Sequence, residues 1–180
     1  MNSIQNSKKI IATTTGIVSR KKIPTKKIPS CLIYEIWDGK PIYYKGYEDV
    51  VNGIKTKEEI MGASALKSFI ITYLQRLIFK YLSDEEYVIL SNEAGIQLRK
   101  KSTLAGDILI FESAKYPIED INIHYSKIPP KIAIEVDIIA DTKDLGEDGY
   151  IYEKAQKLLD FGCKKVIWIT TKNKKGSPLA

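Results

Sequence analysis

Histidine and cysteine are nearly absent from this chain: it has one histidine, His124, and two cysteines, Cys31 and Cys163, in 180 residues. The cysteines lie far apart and outside any metal-ligand spacing, so free thiols in a cytoplasmic protein are the expected state. His124 sits in a proline-flanked loop with no nucleophile-elbow sequence nearby, which removes the serine triad from consideration. Long apolar runs are missing too. A membrane helix needs roughly 18–20 uncharged apolar residues, and the most apolar segment, 68–82, is interrupted by Gln75, Arg76 and Lys80. The start of the chain lacks a signal-peptide apolar region, because Ile10, Ile11 and Ala12 run straight into three threonines. No P-loop, no glycine-rich dinucleotide fingerprint and no internal repeat occurs.

Acid is missing from one region in particular. Residues 1–30 hold seven Lys or Arg and no Asp or Glu; taking that +7 from the formal +6 of the chain leaves residues 31–180 at −1. The alkaline character therefore belongs to a basic N-terminal arm over 1–30, while a single domain over 31–180 is nearly neutral. A basic arm suits contact with DNA phosphates and equally suits a solvated tail.

With 44% hydrophobic and 28% charged residues, the body has the composition of a globular domain. Segments 31–37 and 40–44 flank Asp38-Gly39, a hairpin signal, and the tyrosines at 43, 44 and 47 read as packing residues. A long helix is expected over 55–82, opened by a Thr56/Glu59 capping box and weakened at Gly62. Short strands follow at 87–90 and 96–99 around a turn at 91–95. A polar bend at 100–106 leads into a strand at 107–111. After an irregular connection, a strand at 131–140, an acidic loop at 141–149, a helix at 150–161 closed by Gly162 and a last strand at 165–170 complete the order. A helix between the last two strands implies that they run parallel. The expected architecture is α/β, with a mixed central β-sheet flanked by α-helices and an N-terminal β-hairpin.

The segment KIAIEVDIIA at 131–140 organises the rest. Its even positions are apolar, and its odd positions carry Ala133, Glu135 and Asp137. A carboxylate inside a sheet costs several kcal/mol unless something pairs with it. Asp107 lies on the preceding strand, so Asp107 and Glu135 are expected to project from one face near one sheet end. Such a pair suits Mg2+, which keeps several waters and accepts phosphate oxygens. Lys154 stands beside the apolar stripe of its helix, about 60° from Ile151 at 100° per residue, with a stem long enough to reach the sheet end. A structural Lys154–Glu135 ion pair and a catalytic lysine both satisfy this placement. The acids crowded at 141–148 miss the EF-hand spacing and read as an exposed loop.

Taken together, GDILIF, IAIEVD and YIYEKAQKLLDFGCKKVIWIT, with YEIWDG upstream, resemble the Uma-type branch of restriction endonucleases in the PD-(D/E)XK restriction-endonuclease-like superfamily. The resemblance covers about Ile33 to Thr170. It implies a Mg2+-dependent (or Mn2+-dependent) endonuclease hydrolysing DNA phosphodiester bonds, with Asp107 and Glu135 as metal ligands. Lys154, supplied from the helix because the usual lysine slot holds Asp137, would orient or activate water. Asp137, expected on Glu135's face, and Glu93, in the turn of NEAG, would support them. The histidine that this branch carries early in its long helix is missing from 56–82, and Gly106 replaces the motif proline. The resemblance also leaves an edge strand that favours a homodimer. The other expectation is a catalytically silent nuclease-like module that binds DNA or a protein partner.

Overall fold

The computed structural model describes residues 27–171, so most of the basic arm assigned to 1–30 lies outside the described residues. These residues form a mixed α/β fold with six strands in one sheet and four α-helices. Strands β1 (Ile33–Trp37) and β2 (Lys40–Tyr43) pair antiparallel. The connecting Asp38 and Gly39 have φ of 53° and 87°, the left-handed conformation that a two-residue hairpin turn demands. Beyond β2 the tyrosines pack on one another: the rings of Tyr43 and Tyr47 stack at 4.6 Å.

Three helices follow: α1 (Tyr47–Val51), α2 (Lys57–Met61) and α3 (Ala65–Tyr81). The single helix expected over 55–82 is therefore two. Thr56 and Glu59 do form a capping box, but Gly62 takes a ψ of 138° and ends the turn. Ser64 then opens α3 by accepting from the Lys67 amide at 3.1 Å.

The strands between α3 and the connection also differ from expectation. One strand, β3 (Tyr87–Arg99), replaces the two short strands and the turn at 91–95. Asn92 and Glu93, with φ of 64° and 56°, form a bulge instead of a reversal. The polar bend shrinks to Lys100-Lys101, and β4 (Ser102–Glu112) begins well before Asp107. Antiparallel pairing with β3 keeps these polar residues in the ladder.

Strand β5 (Ile132–Val136) is shorter than the expected 131–140 because Asp137, at φ 57°, turns the chain out of the strand. The residues beyond it bond to the end of the hairpin: Lys45 donates to the Ile139 carbonyl and Asp141 donates to the Tyr43 carbonyl, each at 2.7 Å. Helix α4 (Gly146–Phe161) starts before Tyr150, with Glu147 and Asp148 in its first turn, where the helix dipole favours acids. The last strand, β6 (Lys165–Ile169), runs parallel to β5 as expected.

The sheet order is β2-β1-β4-β5-β6, with β3 also paired to β4. Its two faces are covered by different helices. Ile71, Leu74 and Ile78 of α3 pack on Ile108, Ile110 and Ile134. Tyr150 and Leu158 of α4 join Leu109, Phe111 and Ala133, the alternate positions of the same strands. The fully buried large side chains among them, Ile108, Leu109, Phe111 and Leu158, each contribute about 1.5–3 kcal/mol. Among the described residues no helix is long and apolar enough to cross a membrane.

Gly162 ends α4 at φ 119°, and a Cβ there would stand 3.2 Å from the Pro129 ring. Gly162→Ala should therefore lose about 1–2 kcal/mol in urea unfolding, whereas a change at the noise level would mean that this cap is not strained by a side chain.

Candidate active site

The register of β4 and β5 brings the predicted acids together. Ile108 stands opposite Ile134, so Asp107 and Glu135 are the next residues along, at the end where β5 stops. Asp107 turns its Oδ2 onto the Val136 amide at 2.7 Å. The bulge in β3 completes this corner. Ser91 pairs with Ile108 and Ala94 with Gly106, leaving Asn92 and Glu93 to face Asp107.

Lys154 rises from the middle of α4 into the other side of the cluster. Its ammonium lies 3.1 Å from Glu135 Oε2 and 2.9 Å from Glu35 Oε1, and it donates to the Ala105 carbonyl at 2.7 Å. The rings of Tyr34, Trp168 and Tyr150 surround it at 5.6, 5.7 and 5.9 Å. Burial alone would lower its pKa, but the two carboxylates outweigh burial and hold it well above the usual lysine value. A permanently charged ammonium can donate hydrogen bonds and stabilise anions. It cannot take a proton from water, so the expected role of Lys154 narrows from activating water to orienting it.

Two members of the cluster were not singled out in the sequence. Glu35, on β1, accepts from Trp37 Nε1 and the Tyr150 hydroxyl, each at 2.9 Å, and from the Ala105 amide at 3.0 Å. Lys67, in the first turn of α3, places its ammonium 2.9 Å from Asp107 Oδ1 with only 4% of the residue exposed. The signal for Lys67 was present: it precedes Ile71, Leu74 and Ile78 on the face of α3 that packs on the sheet. Glu35 gave a weaker signal, one acid inside an apolar strand.

The supporting residues separate. Glu93, half-buried, accepts from the Tyr44 hydroxyl at 3.4 Å. Its pKa is raised by burial first, with Lys67 pulling it down and Asp107 pushing it up, so it belongs to the same electrostatic unit. It does so from a bulge, not from the expected turn. Asp137 does not share Glu135's face. Its positive φ breaks the alternation, and its carboxylate accepts from the Thr171 amide at 2.6 Å and the Thr171 hydroxyl at 2.7 Å.

Charge is out of balance at the centre. Glu35, Asp107 and Glu135 are three buried carboxylates against two buried ammoniums, Lys67 and Lys154, so one negative charge lacks compensation when all are ionised. The imbalance falls on Glu135. Burial, opposed by Lys154 and reinforced by Asp107 and Glu35, pushes its pKa up to about 7, and its Oε1 is buried with no hydrogen-bond partner.

Comparison with protein-family models, curated proteins and solved structures gives no match. The site must be read from its own chemistry. Among the described residues, no group of three or more His, Cys, Asp or Glu side chains is arranged to hold a metal ion. Two carboxylates with waters suffice for Mg2+, however, and the orphaned Glu135 oxygen beside Asp107 fits that requirement. A cavity of 780 Å³ lined by Gln97, Tyr116, Asn122, His124 and Tyr125 shares no residue with the cluster.

Lys154→Met strands two buried carboxylates and should lose about 3–5 kcal/mol in urea unfolding; a loss under about 1 kcal/mol would show the ion pairs to be solvated. The raised pKa of Glu135 fixes a pH dependence. Between its ordinary value of 4.5 and about 7 the folded protein holds a proton that the unfolded chain releases. The contribution of Glu135 to stability is thus greatest below its ordinary value and declines as pH rises to about 7. From about pH 5 to about pH 8 the wild type should lose on the order of 2 kcal/mol, and Glu135→Gln should abolish that part of the slope.

Proposed function

We propose that this chain is a Mg2+-dependent (or Mn2+-dependent) endonuclease of restriction-endonuclease-like fold that hydrolyses DNA phosphodiester bonds. One observation carries the reading: acids from two neighbouring strands and a lysine from the following helix meet in one buried cluster that is left short of positive charge, with a Glu135 oxygen unpartnered. A buried excess of negative charge is costly to a fold, and a site for a divalent cation gives that excess a purpose.

Asp107 and Glu135 would hold the cation. When bound, Mg2+ supplies Lewis-acid stabilisation of the phosphate charge as the bond to the leaving oxygen breaks. The chain's own groups do the rest. Lys154, an ammonium whose three N–H groups reach Glu35, Glu135 and the Ala105 carbonyl, would orient the attacking water by exchanging one of these partners for it, and its charge would stabilise the anionic phosphate oxygens. Glu35 does not need to touch substrate; with Tyr150 and Trp37 on its other oxygen, it sets the position of Lys154. Lys67, paired with Asp107 Oδ1, would keep that carboxylate ionised for a cation and would add positive charge near a backbone phosphate. Glu93, with its raised pKa, would take up a proton released nearby.

A second reading has an observation of its own. Every member of the central cluster is at most 4% exposed and each lysine is already paired, as suits a catalytically silent nuclease-like module that binds DNA or a protein partner. Cleavage of supercoiled plasmid with Mg2+ or Mn2+ separates the two. Wild type should nick the plasmid, and Asp107→Asn, Glu135→Gln and Lys154→Met should each reduce the rate by at least about 100-fold. Four proteins with equal rates would end the catalytic assignment. A wild type that retards DNA in a gel without cutting it would favour the silent module.

A further inference from the structure

Helix α3 has two apolar faces, and the sheet covers only one. Ile71, Leu74, Ile78 and Leu82 pack on the sheet. Leu66, Phe69, Tyr73, Leu77 and Tyr81 recur every three or four residues along a second stripe and are between 36% and 72% exposed. At 100° per residue the stripe centres about 125° round the helix from the packed face. An amphipathic surface helix has one apolar stripe facing its core; a second, made of large aliphatic and aromatic side chains, is unusual on a monomer surface.

We propose that this stripe is the contact between two copies of the chain, with α3 of each lying antiparallel across a two-fold axis near Tyr73. The spacing is self-complementary. Reversing the helix about Tyr73 exchanges Phe69 with Leu77 and sets Tyr73 against its counterpart, with Leu66 and Tyr81 at the two ends of the contact. Isologous contacts require such a pattern. The area is also sufficient. The five side chains offer about 600 Å² on each copy, or about 1,200 Å² for the pair, the lower end of stable interfaces. This contact is distinct from an edge-strand pairing through β6. It places the interface on the helix whose first turn carries Lys67 to Asp107.

Charge gives the proposal a signature. Helix α3 contains Lys67, Arg76 and Lys80 and no acid, and Lys67 is neutralised by Asp107. Pairing two copies about Tyr73 sets Arg76 about 9 Å along the axis from its counterpart, while Lys80 stands about 21 Å from its own, so salt should strengthen the dimer by screening the Arg76 pair. An acidic partner surface would show the opposite dependence.

Sedimentation velocity on the full chain tests the contact. The wild type should dimerise at micromolar concentration, with several-fold tighter association at about 500 mM than at about 50 mM NaCl. Tyr73→Glu and Leu77→Glu should weaken association at least about 100-fold while leaving the far-UV circular dichroism and thermal midpoint near wild type, because these side chains are not in the core. Phe79→Glu is the control, since Phe79 is 56% exposed but lies about 140° round α3 from the stripe and should leave the dimer intact. If a glutamate variant fails to fold, Tyr73→Cys in a Cys31→Ser background replaces it: a short bismaleimide should link two copies through position 73 in high yield. A full chain that stays monomeric overturns the proposal, whether the stripe is bare or covered by residues 1–26 of the same chain. A dimer that survives Tyr73→Glu, or that weakens with salt, overturns it as well.

Discussion

The ammonium of Lys154 between the carboxylates of Glu35 and Glu135 is the contact on which this fold turns. It joins α4 to β1 on one side and to β5 on the other, at distances of 2.9 and 3.1 Å. These elements lie on either side of β4 in the sheet. None of the three groups is tolerable alone in an apolar interior. Together they satisfy one another, and the rings of Tyr34, Tyr150 and Trp168 shut out the water that would otherwise loosen the arrangement. The same enclosure makes Glu35 structural in effect: its two oxygens are fully engaged, and it acts on any reaction only through the position of Lys154.

A second cation enters from the opposite helix layer. Lys67 and Lys154 come from helices covering different faces of the sheet, yet both end on carboxylates near the end of β5. The bulge at Asn92-Glu93 belongs to this economy as well. A regular β3 would have set one residue against Asp107; the bulge sets two there and turns Glu93 into the field of Lys67 and Asp107. What remains is one carboxylate oxygen with no partner. A cation or a proton at that oxygen would each neutralise the same buried charge.

Much of the fold was legible in the sequence because its signals are local. Asp38-Gly39 dictates a hairpin through its backbone preferences, Thr56 and Glu59 dictate a helix start, and Gly162 dictates a helix end. The order of β5, α4 and β6 follows from period and composition alone. The errors came where local preference met the sheet. Asn92 and Glu93 have the character of turn residues, and they do adopt turn conformations, but the long ladder with β4 absorbs them as a bulge. Asp137 continues the alternation of 131–140 on paper, while hydrogen bonds between 139–141 and the end of the hairpin draw the chain away after Val136.

By itself the sequence determined that Asp107, Glu135 and Lys154 are polar groups set in apolar segments, and that such groups must find partners inside. It also determined the two strands and the helix that carry them, because alternation and helical period are properties of neighbouring residues. Only the tertiary structure decided who the partners are: Glu35 for Lys154, Lys67 for Asp107, Thr171 for Asp137. Those choices depend on the register between β4 and β5 and on which helix covers which face. No local pattern encodes them, because burial cost acts on groups that the chain brings together from 34 to 119 residues apart.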